Sequence, residues 1–163
     1  KDTNKKLNAG KLVLWCIFLI YLVVVLGATM LSRGNWYGNT RIYPLLYSYK
    51  DAWNDFSMTE WRNIVLNILM FVPYGFLVPL LNKKVQAFWK VYLLGFLATL
   101  FIEVMQLVLG KGIFEPDDLL GNTLGAMIGY GVYALSIWVA SKWSWIKSEK
   151  NVKLKSILLY QIP

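Results

Sequence analysis

Residues 101–130, FIEVMQLVLGKGIFEPDDLLGNTLGAMIGY, place acidic and amide side chains inside an apolar sequence. Glu103 and Gln106 lie three residues apart and therefore share one face of a helix. A carboxylate inside a bilayer costs about 3 kcal/mol or more on insertion scales, and such residues usually face a bundle interior or a wet cavity. The spacing therefore predicts either a buried polar site or a hydrogen-bonded network that holds helices together.

The residue types limit the chemistry of this chain. It contains no histidine, which excludes Ser-His-Asp catalysis, histidine acid–base chemistry and histidine-containing zinc sites. The single cysteine, Cys16, cannot form a disulfide within the chain. Any catalysis would depend on carboxylates, lysine, tyrosine or a bound metal, and no cofactor is predicted.

Two further segments carry polar side chains at the same predicted depth. Asn63 and Asn67 are four residues apart, and so are Asp118 and Asn122, so each pair shares a helix face. Three helices thus direct polar groups toward one level of the membrane. The candidate ligand-binding residues are Glu103, Gln106, Asn63, Asn67, Asp117, Asp118, Asn122, Arg62 and Lys111.

Membrane-spanning helices must position these residues. The chain has 163 residues, of which 57% are hydrophobic and 16% charged, whereas a soluble domain is about half apolar and about a quarter charged. Four segments reach the length of about 20 apolar residues that spans a bilayer. They cover residues 12–31, 62–81, 87–109 and 119–141. We expect an all-α integral membrane protein, with one four-helix domain over residues 1–163 and a cytoplasmic interfacial tail over residues 142–163.

The basic residues predict the orientation. Twelve of the 17 lysines and arginines lie near the N-terminus, around the second loop and in the tail. Because cytoplasmic loops carry an excess of lysine and arginine, both termini should be cytoplasmic in a bacterial plasma membrane. The net charge of +8 is therefore explained by the basic residues that flank the spans on the predicted cytoplasmic side. No nucleic-acid partner is predicted, because the sequence has no long basic stripe and no RNA-binding motif.

The loops suggest further elements. The long outer loop between the first two spans is rich in aromatic residues, and residues 42–49 and 52–61 fit short interfacial helices or an aromatic belt. Residues 110–116, GKGIFEP, fit a turn or a re-entrant segment, because a proline disfavours helix in the residue before it. Pro73 and Pro79 are predicted to kink the second span.

The start of the fourth span carries two patterns. Gly121, Gly125 and Gly129 repeat every four residues, which lets helices pack closely, either inside one bundle or across a homodimer face. Asp117 and Asp118 fit helix capping near the positive end of the dipole, and binding of Mg²⁺ or Ca²⁺ is the alternative.

These motifs resemble the VanZ-like family, which is named after a teicoplanin-resistance protein. The matching elements, in order, are NILMFVPYGFLVP, EVMQ and DDLLGNTLGAMIGY, within residues 63–130. Family members commonly carry an arginine in the turn before the aspartates, where this chain has KGIFEP with Lys111 nearby. Arginine binds carboxylate or phosphate as a planar fork, and lysine only as a point charge. The resemblance implies a mostly Gram-positive membrane protein that lowers sensitivity to teicoplanin-type lipoglycopeptides.

The residues leave three functions open. The first is binding of a membrane lipid, a lipid-linked precursor or the acyl tail of a lipoglycopeptide in an outer-leaflet polar pocket, with Arg62, Lys111 or Arg41 near a lipid phosphate. The second is a membrane enzyme acting on a phospholipid or an undecaprenyl-linked substrate, with Glu103 and Asp118 as catalytic carboxylates. The third is transport, which is disfavoured because no continuous polar path crosses the predicted bundle.

Overall fold

The described part of the chain contains five α-helices and two short helical turns. The structure is a computed structural model that describes residues 9–31, 34–35, 37–38 and 42–159, with side chains as far as residue 145. The helices are α1 (Ala9–Leu26), α2 (Tyr47–Asn54), α3 (Met58–Leu81), α4 (Phe88–Val108) and α5 (Pro116–Leu159). A π-helical turn, Gly27–Leu31, continues α1, and a 3₁₀ turn, Lys83–Val85, precedes α4. Arg33, Arg41 and the lysines before Ala9 lie outside the described residues.

Four of these helices are long and apolar enough to cross a membrane: Ala9–Leu31, Met58–Leu81, Phe88–Val108 and Pro116–Trp145. This confirms the prediction of an all-helical, multi-pass membrane protein. Apolar side chains such as Leu69 and Phe101 are exposed on the outer faces, where lipid tails are a suitable surrounding. α5 continues without a break through residues 142–159, and the location of this tail at the membrane surface stays a prediction.

Local sequence signals set the helix ends next to the polar residues. The Ser57 hydroxyl oxygen accepts a hydrogen bond from the N–H of Glu60 at 3.3 Å and caps the start of α3, a role for which serine is favoured. Gly110, two residues after the end of α4, has a φ of +63°, and the N–H of Lys111 donates to the carbonyl of Gln106 at 2.8 Å. This is a Schellman motif, in which a left-handed residue is favourably glycine. α4 therefore ends within one turn of Gln106.

The four spans share one core. α3 and α5 form the most extensive helix contact, α4 packs chiefly on α5, and α1 packs mainly on α3. The central apolar cluster contains Val25, Phe71, Ile102 and Ala126, one from each span. α1 has the smallest buried share of the four. It is therefore the outermost span of the described bundle.

The glycine repeat of α5 packs against α3 of the same chain. A Cβ atom added at Gly125 would stand 2.0 Å from the carbonyl oxygen of Ile68, and one at Gly129 would stand 2.0 Å from that of Val72. The two helices therefore touch backbone to backbone, as small-xxx-small patterns allow. A homodimer through these same glycines would require α3 to leave this position, and self-association stays a prediction.

α3 remains helical across both of its prolines, Pro73 and Pro79. Pro73 provides no N–H to the carbonyl of residue 69. Beside that point, the hydroxyl of Tyr21 donates a hydrogen bond to the carbonyl of Met70 at 2.9 Å. α1 is thus tied to α3 where the helical ladder of α3 is interrupted.

The connection between α1 and α3 differs from the predicted one. The sequence places helices over residues 42–49 and 52–61, whereas the structure has one helix, Tyr47–Asn54, and α3 already begins at Met58. The cap at Ser57 explains the early start of α3, because it satisfies an N–H of the first turn. The two predicted interfacial helices are therefore wrong in their bounds.

The two connections at one end of the bundle contact each other. Ile42 and Phe114 form an isolated parallel bridge. We call this end, with residues 42–57 and 109–115, the loop end. The opposite end, with residues 82–87, is called the lysine end.

Candidate functional site

The loop end contains a cavity of about 270 Å³ between the π-helical turn, α3 and the start of α5. We call it the first cavity. It is lined by Ala28, Thr29, Asn63, Leu66, Asn67, Met70, Glu115 and Asp118. Three of the predicted site residues, Asn63, Asn67 and Asp118, therefore meet at one place.

A second cavity of about 390 Å³ adjoins the first and shares Asn63 and Glu115 with it. Its lining consists of Gly34, Tyr43, Tyr47, Ser48, Asp51, Glu60, Asn63, Lys111, Gly112, Ile113 and Glu115. Three of these side chains are carboxylates, and one, Lys111, is a cation. The combined region is therefore rich in hydrogen-bond acceptors and carries excess acid.

Asp118 and Asn67 connect α5 to α3 at the first cavity. The Nδ2 of Asn67 donates a hydrogen bond to the Oδ1 of Asp118. Asp118 is buried and lies in the first turn of α5, where the helix dipole favours negative charge. A buried carboxylate needs donors of this kind. The fold thus stabilises an acidic side chain in the wall of the cavity.

Glu103 lies behind that wall. Its side chain is 1% exposed, and its Oε2 accepts a hydrogen bond from the N–H of Glu115 at 3.0 Å. Glu115 lines both cavities and directly precedes α5. Glu103 therefore fixes the turn that closes the loop end, and it belongs to the lining of neither cavity.

Gln106 supports the opposite wall in a similar way. It is fully buried, and its Nε2 donates to the carbonyl of Thr29 at 3.0 Å. Thr29 lies in the π-helical turn, and its hydroxyl donates to the carbonyl of Val25 at 2.8 Å. π-helical turns are frequent at functional sites. α4 thus holds the end of α1 against the first cavity.

Asn122 pairs with a residue of α4 deeper in the bundle. Its Nδ2 donates to the hydroxyl oxygen of Thr99 at 2.7 Å, and both side chains are buried. Three buried oxygens, Gln106 Oε1, Asn122 Oδ1 and Thr123 Oγ1, have no hydrogen-bond partner within the described part of the chain. An unsatisfied buried acceptor costs about 1–3 kcal/mol. These atoms therefore favour a donor such as water or a ligand.

Asp117 points to a different place from Asp118. Its Oδ1 accepts the N–H of Leu46 at 2.6 Å, and its Oδ2 accepts the N–H of Ser48 at 2.8 Å. Leu46 precedes α2 with a φ of 64°, which is uncommon for a residue other than glycine. The first N–H groups of a helix have no intrahelical acceptor. Asp117 supplies those acceptors and so caps α2 from another helix.

Replacing Asp117 by alanine should loosen α2 and leave the spans intact. Two N–H groups lose their acceptor, at about 1 kcal/mol each, so amide exchange in α2 should become roughly tenfold faster or more. Hydrogen exchange of the purified chain, read by mass spectrometry, measures this change. Asp55→Ala, at the exposed end of the same helix, is the control. Equal exchange in both variants would contradict the capping role.

The predicted cations are dispersed. Lys111 lines the second cavity, and its Nζ donates to the Oδ1 of Asn35 at 2.8 Å. Arg62 is exposed and belongs to the lining of neither cavity. Arg41 lies outside the described residues. Of the two predicted site cations that the structure describes, Arg62 and Lys111, only Lys111 lines a cavity at the loop end.

Burial and neighbouring carboxylates raise two pKa values in the α1–α3 connection. Burial, followed by the charges of Asp117 and Asp118, raises the pKa of Tyr49. Burial, followed by a hydrogen bond with Asp55 and its charge, raises the pKa of Asp51. Both raised pKa values mean that the surroundings disfavour the negatively charged forms of Tyr49 and Asp51.

Asp117 and Asp118, the alternative metal-binding pair, have different hydrogen-bond partners. Among the described residues there is no group of three or more histidine, cysteine, aspartate or glutamate side chains that could hold one. Asp117 binds the backbone at the start of α2, and Asp118 binds Asn67. The two carboxylates considered as a Mg²⁺ or Ca²⁺ pair are therefore engaged by separate donors.

Sequence reasoning missed Thr29, Thr99 and Glu115 as parts of this site. Thr99 precedes Glu103 by four residues and so shares its helix face, a signal that was present in the sequence. Threonine hydroxyls in helices often bond their own backbone, so a threonine in an apolar segment is a weak indicator of a polar site. The approach of Glu115 to Glu103 depends on the reversal at Gly110, which hydropathy does not show.

The fold and the site define a four-span helical membrane protein with a polar, acid-rich region at one end. The VanZ/LLP1 family matches residues 12–139, and the chain belongs to this family, which confirms the resemblance seen in its motifs. The chain is also similar to Protein VanZ of Enterococcus faecium, with 27% identity over 136 residues, or 82% of this chain and 77% of that protein. No solved structure matches the chain.

Proposed function

We propose that this protein lowers sensitivity to teicoplanin-type lipoglycopeptides by binding a lipid, a lipid-linked precursor or the acylated drug at the loop end. Membership of the VanZ/LLP1 family supports the antibiotic context. The observation that carries the proposal is the first cavity, where Asn63, Asn67 and Asp118 stand beside the apolar side chains of Leu66 and Met70. Such a lining suits an amphiphile.

The charges at the loop end favour a ligand that donates hydrogen bonds. Asp118 and Glu115 line the first cavity, and Asp51, Glu60 and Glu115 line the second. A phosphate would face these carboxylates with Lys111 as its one cation among the described lining residues. Hydroxyl or amino groups would instead find acceptors at each wall. The preferred ligand group is therefore neutral or cationic.

The size of the site fits part of a ligand, with the remainder in the bilayer. The two cavities measure about 270 and 390 Å³, at the lower end of the roughly 300–1,000 Å³ usual for small-molecule sites. α1 contributes Ala28 and Thr29 to the first cavity and is the span with the smallest buried share. Movement of α1 would connect the cavity with the surrounding leaflet. Under the predicted orientation, this is the outer leaflet.

Replacing Asn63 by leucine should abolish protection against teicoplanin. Asn63 lines both cavities and is exposed, so the change removes an amide from the site and leaves the core untouched. The measurement is the teicoplanin susceptibility of a sensitive Gram-positive host that expresses each variant. Thr59→Leu is the control, because Thr59 is also exposed on α3 and lines neither cavity.

Membrane abundance, checked by immunoblot, makes the result interpretable. Protection by the wild type and by Thr59→Leu, lost in an equally abundant Asn63→Leu variant, would support the proposed site. Full protection by Asn63→Leu would show that the ligand binds elsewhere. No protection by well-expressed wild type would refute the antibiotic role. Mass spectrometry of lipids that co-purify with the protein would then identify the ligand class.

A further inference from the structure

The lysine end contains a third cavity that the proposed function does not use. Its volume is about 750 Å³. It lies between the start of α1, with Lys11, and the end of α3 with the turn that follows, which carries Lys83 and Lys84. It is thus separated from the loop end by the length of the spans.

The lining of this third cavity is amphipathic. Lys11, Lys83 and Lys84 contribute three positive charges, and none of the described lining residues is acidic. The apolar part of the lining consists of Leu14, Trp15, Leu80 and Leu81. Cations beside an apolar surface are complementary to a molecule with an anionic head and a hydrocarbon tail. Tryptophan commonly lies at the level of lipid headgroups.

The turn that carries two of these lysines is held in place by side chains. The Nζ of Lys90 donates to the carbonyl of Lys84 at 2.8 Å. The Nε2 of Gln86 donates to the carbonyl of Pro79 at 3.3 Å, and the hydroxyl of Tyr130 donates to the carbonyl of Gln86 at 3.0 Å. The turn is therefore fixed to α3, α4 and α5. A rim ordered in advance costs less entropy when a ligand binds.

We propose that the third cavity binds an anionic phospholipid of the leaflet at the lysine end. The phosphate lies among Lys11, Lys83 and Lys84, and an acyl chain lies along Leu14 and Trp15. Basic pockets between transmembrane helices are known to take anionic headgroups. A zwitterionic lipid binds more weakly, because its own cation is repelled by the lysines. Under the predicted orientation the occupant belongs to the cytoplasmic leaflet.

Native mass spectrometry of the full chain in a neutral detergent tests this site. Dioleoyl phosphatidylglycerol and dioleoyl phosphatidylcholine are titrated separately, because they share acyl chains and differ in net charge. We expect the wild type to retain phosphatidylglycerol preferentially. The double variant Lys83→Gln/Lys84→Gln should bind it roughly ten- to thirtyfold more weakly, from the usual contribution of a lysine near an anionic lipid, with phosphatidylcholine unaffected.

The double variant Lys50→Gln/Lys142→Gln loses the same charge at two exposed positions outside the cavity. This control variant should bind phosphatidylglycerol as the wild type does. In a separate competition, glycerophosphate should not displace the lipid, because glycerophosphate lacks acyl chains. If the turn variant elutes as aggregate, Lys11→Gln on α1 tests the same site. Equal retention of both lipids, equal loss in the control, or displacement by glycerophosphate would each overturn the proposal.

Discussion

Replacing Gly125 by alanine should separate α3 from α5 and destabilise the whole bundle. The added Cβ would stand 2.0 Å from the carbonyl oxygen of Ile68 and 3.1 Å from the Cβ of Phe71. The nearer contact is a backbone atom, which cannot rotate away as the end of a side chain can. Overpacking costs about 1–3 kcal/mol and occasionally more, and α3–α5 is the most extensive contact in the bundle.

The expected loss of stability also reaches the site. Asp118 and Gly125 lie on the same helix, two turns apart, so a displaced α5 would weaken the hydrogen bond between Asp118 and Asn67. The midpoint of thermal unfolding in detergent should fall by roughly 5 °C or more for Gly125→Ala. Protection against teicoplanin should fall with it.

Gly121→Ala is a matched control within the same repeat. A Cβ there would stand 3.4 Å from the Cβ of Asn67 and 3.8 Å from the Cγ1 of Ile68, which is ordinary contact. Alanine is the better helix former by about 1 kcal/mol, so this variant should unfold at the wild-type temperature or above. Equal destabilisation by Gly121→Ala and Gly125→Ala would contradict the proposed close approach of α3 and α5.

The comparison shows what a repeat in sequence can and cannot predict. The glycine spacing predicted close packing, and the structure has it. The spacing treats Gly121, Gly125 and Gly129 alike, whereas only the latter two meet backbone at 2.0 Å. The difference arises because crossing helices diverge from their point of closest approach. The distance between the two backbones at each glycine depends on how α3 and α5 cross, so the sequence of α5 alone does not predict it.

The membrane spans were predictable because hydropathy acts over about 20 residues. The helix in the α1–α3 connection was not. α2 has no capping side chain of its own at Leu46, and its start is satisfied by Asp117, 71 residues away. A helix whose first N–H groups depend on a distant carboxylate has no complete local signal. Its bounds could therefore not be read from residues 42–61.

The positions of the candidate site residues were predictable only in part. Matched depth predicted that polar side chains converge, and Asn63, Asn67 and Asp118 line one cavity, whereas their role in binding stays a prediction. Glu103 and Gln106 share the depth but bond to the backbones of Glu115 and Thr29. Helical periodicity predicts which face of the helix a residue lies on. It does not predict whether the side chain lines the cavity or bonds to the backbone behind the lining.

Substitutions of Glu103 can therefore distinguish two roles: a hydrogen-bond acceptor that positions the turn, and a carboxylate whose charge is needed. Its Oε2 accepts the N–H of Glu115 at 3.0 Å, so alanine would remove the acceptor of a partly buried N–H and the packed atoms of a buried side chain. That combination costs about 2–4 kcal/mol. Glu103→Ala should consequently lower both the unfolding temperature and the protection against teicoplanin, because the turn at Glu115 loses its support.

Glutamine distinguishes hydrogen bonding from charge at the same position. It has nearly the shape of glutamate and retains a carbonyl oxygen that can accept the N–H of Glu115. If Glu103 acts as a positioning residue, Glu103→Gln should unfold within a few degrees of the wild type and keep most of the protection. Both quantities are measured on equally abundant protein beside Glu103→Ala.

The opposite result would change the proposed function. A Glu103→Gln protein that unfolds like the wild type and gives no protection would show that the carboxylate itself is needed, as a charge or as a proton carrier. That outcome would favour the membrane-enzyme alternative over ligand binding. The expected result instead makes Glu103 the support of a binding wall, because the hydrogen bond to Glu115 is the feature that both glutamate and glutamine can supply.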